Sequence, residues 1–161
     1  MPAIDLDDVL RHVDLALDGM IATVTDLGDD LVNVEPDLPG ANSAYQIVRH
    51  CCGVMEYWGG AEIAGRPIER DRDAELASAG TVADLVARVG AQRDRFRADL
   101  AALDPGAPAL LAHRRDGHTA PVRAAVATQG GVVVHVYEEL AQHRGHLDIT
   151  ADLARAGRGR A

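Results

Sequence analysis

Four long segments of the chain carry apolar residues at the three-to-four-residue spacing of a helix buried along one face. In the first segment, Leu6, Val9 and Val13 begin a series that continues through Leu17 to Val24. Almost no stretch alternates apolar and polar residues as a half-buried strand does. The sequence therefore predicts an all-α protein built as a four-helix bundle. The predicted helices cover about 5–27, 42–64, 81–103 and 132–156.

Capping residues mark the beginning of three of these helices. Asp5 is the predicted N-cap of the first helix, and Ser43 with Gln46 forms a capping box at the second. Thr81 begins the third. Glycine and proline residues break the connections between the helices. The connection 104–130 has the least regular pattern, and a short extra turn or a pair of strands fits it.

The composition favours one soluble domain over residues 1–161. A net charge of −9 provides no basic patch, so we expect neither nucleic-acid nor membrane binding. The chain has no lysine, which is typical of a GC-rich bacterial genome. It shows no signal peptide, and we expect a cytoplasmic protein. Adjacent Cys51 and Cys52 are interpreted as reduced, buried side chains, with a thiol near the site as the alternative.

The last predicted helix places titratable side chains on its apolar face. At about 100° per residue, His143 projects among Val136, Leu140 and Leu147, and Glu139 lies about 60° from the centre of that face. Burial of such groups without a partner costs several kcal/mol. A bound metal ion would remove that cost.

A second histidine occupies a matching position on the helix predicted over 42–64. His50 shares a face with Ile47 near the middle of that helix. His50, Glu139 and His143 are therefore the predicted metal ligands. Two histidines and a glutamate are an established ligand set for catalytic zinc, and the same set accepts Ni²⁺, Fe²⁺ or Mn²⁺.

Other arrangements stay open at this stage. Both core histidines fit ordinary hydrogen-bonded packing, and Glu139 with His135, or His143 with His146, fits chelation at the rim of the face. The remaining histidines are predicted to be loop or surface residues: His12, His113 and His118.

Three segments of the chain resemble the DinB/YfiT-like superfamily. They are the histidine-rich run 135–148, the helix entry 39–50 and the charged run 65–73. Within the superfamily they are most similar to the actinobacterial branch that includes mycothiol-dependent maleylpyruvate isomerase and the mycothiol S-transferases. The resemblance extends over roughly residues 5–157.

The resemblance implies a four-helix bundle that holds a divalent metal through three side chains. Its motif positions fall on His50, Glu139 and His143. Many members of the superfamily have histidine at the position of Glu139. The mycothiol-linked branch has glutamate there, as this chain does. The implied cofactors are a divalent metal, zinc first, and mycothiol, which binds the metal as a thiolate.

The implied activity is a detoxifying transfer of the thiol to an electrophilic metabolite or xenobiotic. Tyr57, Arg144 and His146 are expected to orient the ligands or the substrate. Because the isomerases carry a further C-terminal domain and this chain ends soon after its last helix, a transferase is expected rather than an isomerase. The alternative is a non-catalytic, stress-associated metal-binding protein, including a homodimer.

Overall fold

A computed structural model describes residues 5–110 and 120–158 of the chain. A π-helical segment, Glu56–Ala61, continues the second α-helix, and a 3₁₀ turn, Leu100–Ala102, continues the fourth. No strand forms within the described ranges, which confirms the all-α prediction. The α-helices are α1 (Leu6–Leu31), α2 (Ala44–Met55), α3 (Arg72–Leu76), α4 (Val82–Asp99), α5 (Ala120–Ala125) and α6 (Gln129–Arg158).

The four longest helices pack side by side around one apolar core. α1 packs against α6 and α4, and α2 packs against the same two helices on the other side. Burial of a leucine, isoleucine or methionine side chain contributes about 1.5–3 kcal/mol each, so this core supplies the main driving force for folding. Its fully buried members include Leu17, Met20, Ile47, Leu85, Phe96, Leu140 and Leu147.

The predicted caps begin the helices as expected. The Asp5 carboxylate accepts a hydrogen bond from the backbone of Asp7, and Ser43 and Gln46 form the complete capping box. The Thr81 hydroxyl accepts from the backbone N–H of Asp84. Each cap supplies a partner for an amide group that the first turn of a helix leaves unpaired.

Two predicted helix ends differ from the structure. Gly28 has a positive φ of 66°, and the chain then makes one more helical turn to Leu31, beyond the predicted end at 27. In the second helix, regular α-helix ends at Met55, and the π-helical segment follows where a continuous helix to 64 was predicted. Short π-helical segments within α-helices occur often at functional sites.

The last helix begins at Gln129, ahead of the predicted start at 132. A Cβ at Gly130 would lie 2.9 Å from the carbonyl oxygen of Pro105, so only glycine permits this close approach. The Gln129 side chain accepts from the backbone of Asp104, which fastens the helix to the preceding connection. Gly130 and Gly131 therefore belong to the first turn of α6 and do not interrupt it.

The two longer connections contain short elements of structure. The connection 65–80 contains α3, whose first turn is capped by Asp71. In the connection 104–130, an isolated bridge joins Pro108 to Thr128 and α5 follows residues 111–119. His113 and His118 lie outside the described residues. No helix in the described ranges has the length and apolar character of a membrane span.

Candidate metal centre

The structure brings the three predicted ligands together between α2 and α6. His50, Glu139 and His143 each offer a ligand atom, and these atoms lie within 4.8 Å of one another. His143 Nε2 is 3.6 Å from Glu139 Oε2, one turn away on the same helix. The rings of His50 and His143 meet edge to face across the two helices, with centroids 4.9 Å apart.

The cluster fits a divalent cation by its burial and its donors. The His50 side chain is only 6% exposed, whereas His143 and Glu139 are 26% and 30% exposed. Nδ1 of His143 is buried and has no hydrogen-bond partner within the described ranges. An unpaired buried nitrogen costs about 1–3 kcal/mol, a cost that a cation bound at that nitrogen would remove. Two nitrogens and one carboxylate suit Zn²⁺ and related ions.

A cavity of about 350 Å³ adjoins the cluster. His50 and Glu139 form part of its wall, while Val54 and Trp58 provide apolar surface. A larger cavity of about 680 Å³ lies between α2 and α4 and contacts none of the three clustered residues. The smaller cavity therefore has the position from which a small molecule would reach the ligands.

Two further side chains, those of Glu75 and Arg70, lie against Nδ1 of His50. Glu75 Oε2 lies 2.9 Å from His50 Nδ1, and the Arg70 guanidinium donates to both carboxylate oxygens of Glu75 at 2.9 Å. The Glu75 side chain is 4% exposed. Burial raises the pKa of Glu75, but Arg70 and then His50 outweigh it, so the pKa lies below its usual value.

Comparisons with known proteins agree with this architecture. The model of the mycothiol S-transferase family matches residues 8–155. The chain belongs to the mycothiol S-transferase family. This match confirms the resemblance that the sequence motifs carry. The search of curated proteins finds no match for this family member.

A solved structure, described as a conserved protein from Enterococcus faecalis, is similar to this family member. The two share 14% sequence identity at a TM-score of 0.72. The similarity covers 96% of this chain and 99% of the other. At this identity the similarity shows the fold alone, and that fold is the all-α arrangement predicted from the sequence.

The charge states in this mycothiol S-transferase family member suit cation binding. The adjacent His143 imidazole is the main cause of a lowered pKa at Glu139, with His135 contributing and burial opposing. Burial lowers the pKa of His50, although its hydrogen bond to Glu75 acts in the opposite direction. Both shifts favour the metal-binding forms, a carboxylate and a neutral imidazole.

The rim histidines flank the cluster. His135 is buried, packs edge to face on Trp58 at 4.8 Å between centroids, and has Nε2 3.8 Å from Glu139 Oε1. Glu139 therefore lies between His135 and His143. The His146 ring is exposed, with its centroid 5.9 Å from that of His143.

The side chain of Arg144, which was expected to orient the ligands or the substrate, lies against α1. Its Nε donates to Asp148 at 3.1 Å, and its guanidinium lies over Gly19 of α1, where a Cβ would overlap it. Tyr57 packs edge to face on Trp58 and so supports the cavity wall. In the sequence, the only indication of this contact is Gly19, whose lack of a side chain leaves space for the arginine on the surface of α1.

The adjacent cysteines are free and buried, as predicted. Burial raises the pKa of Cys52 to about 12 and raises that of Cys51 well above its usual value. Neither thiol belongs to the His50–Glu139–His143 cluster. The interpretation of the pair as core residues therefore holds.

Proposed function

We propose that this chain is a divalent-metal-dependent thiol S-transferase that joins mycothiol to an electrophilic metabolite or xenobiotic. Family membership supports the thiol and the transfer chemistry. The observation that carries the proposal is the convergence of His50, Glu139 and His143 beside a cavity of about 350 Å³. Sites of this kind leave coordination positions for a substrate.

Each of the three side chains has a defined part in the proposal. His50 and His143 would bind the cation through neutral nitrogens, and Glu139 would neutralise one of its charges. A divalent cation lowers the pKa of a coordinating thiol, so that the thiolate nucleophile exists near neutral pH. Zinc is the first expectation from this ligand set, while nickel, iron and manganese are the alternatives.

The transfer balances without any oxidant or reductant. The sulfur of the thiol forms a bond to an electrophilic carbon, and the thiol proton is released. With a chlorodinitroarene as the test electrophile, chloride leaves as the carbon–sulfur bond forms. With an unsaturated acceptor, the proton adds to the neighbouring carbon instead. Val54 and Trp58 give the electrophile an apolar wall next to the reacting sulfur.

The non-catalytic alternative would need a closed cluster. In that case His50 would be expected to bond to Glu139 and leave no space for an ion or a substrate. His50 instead bonds to Glu75, and the cavity adjoins the ligand atoms. These contacts favour the transferase. Free cysteines at Cys51 and Cys52 agree with the proposed cytoplasmic location.

The test combines elemental analysis with a rate measurement. We expect about one divalent ion per purified chain and conjugation of mycothiol to the chlorodinitroarene. His143→Ala should lose the ion and return the rate to that of the reaction without protein. His12→Ala is the matched control, because His12 is an exposed histidine of α1 outside the cluster. Equal rates for metal-replete wild type and His143→Ala would disprove the transferase proposal.

A further inference from the structure

The Glu75 carboxylate is fixed from two sides. Arg70 donates from Nε to Oε1 and from Nη2 to Oε2, both at 2.9 Å, in the two-pronged geometry that arginine forms with carboxylates. Oε2 also lies 2.9 Å from Nδ1 of His50. With 4% of its side chain exposed, Glu75 has little access to water as an alternative partner. The carboxylate therefore has a fixed position and charge against the His50 ring.

This contact determines which nitrogen of His50 carries the proton. A charged carboxylate only accepts hydrogen bonds, so Nδ1 must be the donor in the contact with Glu75. Nη2 of Arg70 lies 3.2 Å from the same Nδ1, but a guanidinium only donates. If Nδ1 accepted from Arg70 instead, its lone pair would face Glu75 Oε2 at 2.9 Å without a hydrogen between them. The arrangement consequently favours a proton on Nδ1 and a lone pair on Nε2.

Two backbone features support this position of Glu75. Glu75 lies on α3, whose first turn is capped by the Asp71 carboxylate. Opposite it, Gly53 of α2 leaves space for the carboxylate, since a Cβ at that position would overlap the carboxylate atoms. A five-residue helix and a glycine thus hold one carboxylate against the histidine one turn earlier on α2.

We propose that Glu75 is a positioning residue of the candidate metal centre. It holds His50 in the tautomer whose Nε2 lone pair is available to the cation, before any cation arrives. Arg70 keeps the Glu75 carboxylate charged and oriented. This role rests on the proposed metal-dependent function, although the tautomer of His50 is measurable without metal. Removal of such a partner of a ligating histidine typically weakens metal binding 10–100-fold.

The chain contains a matched control for this pair. Arg66 donates to both oxygens of Asp99 at 2.9 and 2.8 Å, and the Asp99 side chain is 4% exposed. Asp99 is not part of the candidate cluster. Asp99→Asn therefore removes the same kind of buried carboxylate charge as Glu75→Gln, at a place that leaves His50 unchanged.

The experiment measures the His50 tautomer and the affinity for Zn²⁺. In metal-free, ¹⁵N-labelled wild type, long-range proton–nitrogen correlation spectra should show the proton on Nδ1 of His50. Glu75→Gln should produce a mixture of tautomers and a 10–100-fold higher dissociation constant for Zn²⁺, determined by chelator competition. Asp99→Asn should change neither quantity. Glu75→Asp, which keeps the charge that Arg70 pairs with, should fall between wild type and Glu75→Gln.

The outcomes separate this inference from the proposed function. A proton on Nε2 of His50 in metal-free wild type overturns the role of Glu75, and this measurement needs no variant. Wild-type affinity for Zn²⁺ in Glu75→Gln overturns it as well. A wild type that binds no divalent ion disproves the metal-dependent function. Comparison of wild type with Glu75→Gln then still decides whether Glu75 determines the tautomer of His50.

Discussion

His50 on α2 and His143 on α6 meet edge to face, with ring centroids 4.9 Å apart. Two protonated rings at this distance would repel each other, and burial already lowers the pKa of His50. His50 is therefore neutral at neutral pH, in the form that binds metals. The pair joins the helix that carries one ligand to the helix that carries two, so a cation bound there would connect α2 and α6.

Zinc should raise the thermal stability of the metal-free protein through this connection. A ligand that binds only the folded state adds about 2.7 kcal/mol to the free energy of unfolding at a hundred times its dissociation constant. We expect calorimetry to show a rise in Tm on addition of Zn²⁺ to wild type and to His12→Ala. His50→Ala should show no rise. An equal rise in His50→Ala would place the bound zinc elsewhere.

Alanine at Gly53 should have the opposite effect to alanine at Gly90. Gly53→Ala puts a methyl group where the Glu75 carboxylate lies, and we expect a loss of about 1–3 kcal/mol in the free energy of unfolding. Gly90 lies within α4, and apart from its chain neighbours and the backbone of its own helix no atom of residues 5–110 and 120–158 lies within 4 Å of a Cβ added there. Gly90→Ala should therefore gain about 0.5–1 kcal/mol from reduced backbone entropy in the unfolded chain. Urea unfolding midpoints measure both changes.

The Gly53 variant also has a consequence for the candidate site. Because displacement of Glu75 removes the partner of His50 Nδ1, Gly53→Ala should weaken Zn²⁺ binding, whereas Gly90→Ala should leave it unchanged. If Gly53→Ala matches Gly90→Ala in both stability and affinity for Zn²⁺, the Glu75 carboxylate does not pack against Gly53 of α2.

The candidate ligands were predictable because they lie on long, regular helices. On α2 and α6 the projection of side chains around the axis holds over several turns, so the core faces of His50, Glu139 and His143 follow from spacing. The packing of the bundle then determines that these three residues, which lie on two helices, meet at the same depth. The sequence supplied both faces, and the structure supplied the distance between them.

Glu75 and Arg70 could not be predicted in the same way. α3 has five residues, too few for a helical repeat to appear in the sequence. Its contact with His50 depends on how the connection 65–80 folds back onto α2. The signal that existed was Gly53, a residue without a side chain one turn after His50, where the close approach of another group is possible. The Arg144 guanidinium likewise lies in the space over Gly19 of α1.

Arg66 should contribute strongly to stability through Asp99. The Asp99 carboxylate is almost fully buried, and removal of its guanidinium partner leaves a charge without compensation. Because Arg66 itself is 29% exposed, water replaces part of the lost interaction, and we expect Arg66→Met to cost about 2–3 kcal/mol in urea unfolding. Arg66→Met combined with Asp99→Leu should recover part of the loss.

Arg155 provides the control for this experiment. It pairs with Asp26 at the surface, where 40% and 71% of the two side chains are exposed. Such pairs contribute little, so Arg155→Met should leave the unfolding midpoint nearly unchanged. A similar loss in Arg66→Met and Arg155→Met would mean that the Asp99 carboxylate is not buried.

The two thiols should resist alkylation in the folded protein. Burial raises the pKa of Cys52 from its usual 9.0 to about 12, so at about pH 8 only about one molecule in ten thousand carries the reactive thiolate. The pKa of Cys51 is raised as well. Both thiols should therefore react with iodoacetamide at once in concentrated urea and only very slowly in the native state, as mass spectrometry would show.

The pH dependence of alkylation distinguishes a raised pKa from simple lack of access. For the unfolded chain, the rate should level off as the pH passes the usual thiol value of 9.0. If a native thiol with a pKa near 12 reacts directly, its rate should still rise about tenfold per pH unit there, because the thiolate fraction keeps growing. A native rate that levels off near pH 9.0 would show that alkylation proceeds through opened molecules with ordinary thiols. Fast alkylation of native protein at about pH 8 would contradict the burial of both cysteines and restore the interpretation of a thiol near the site.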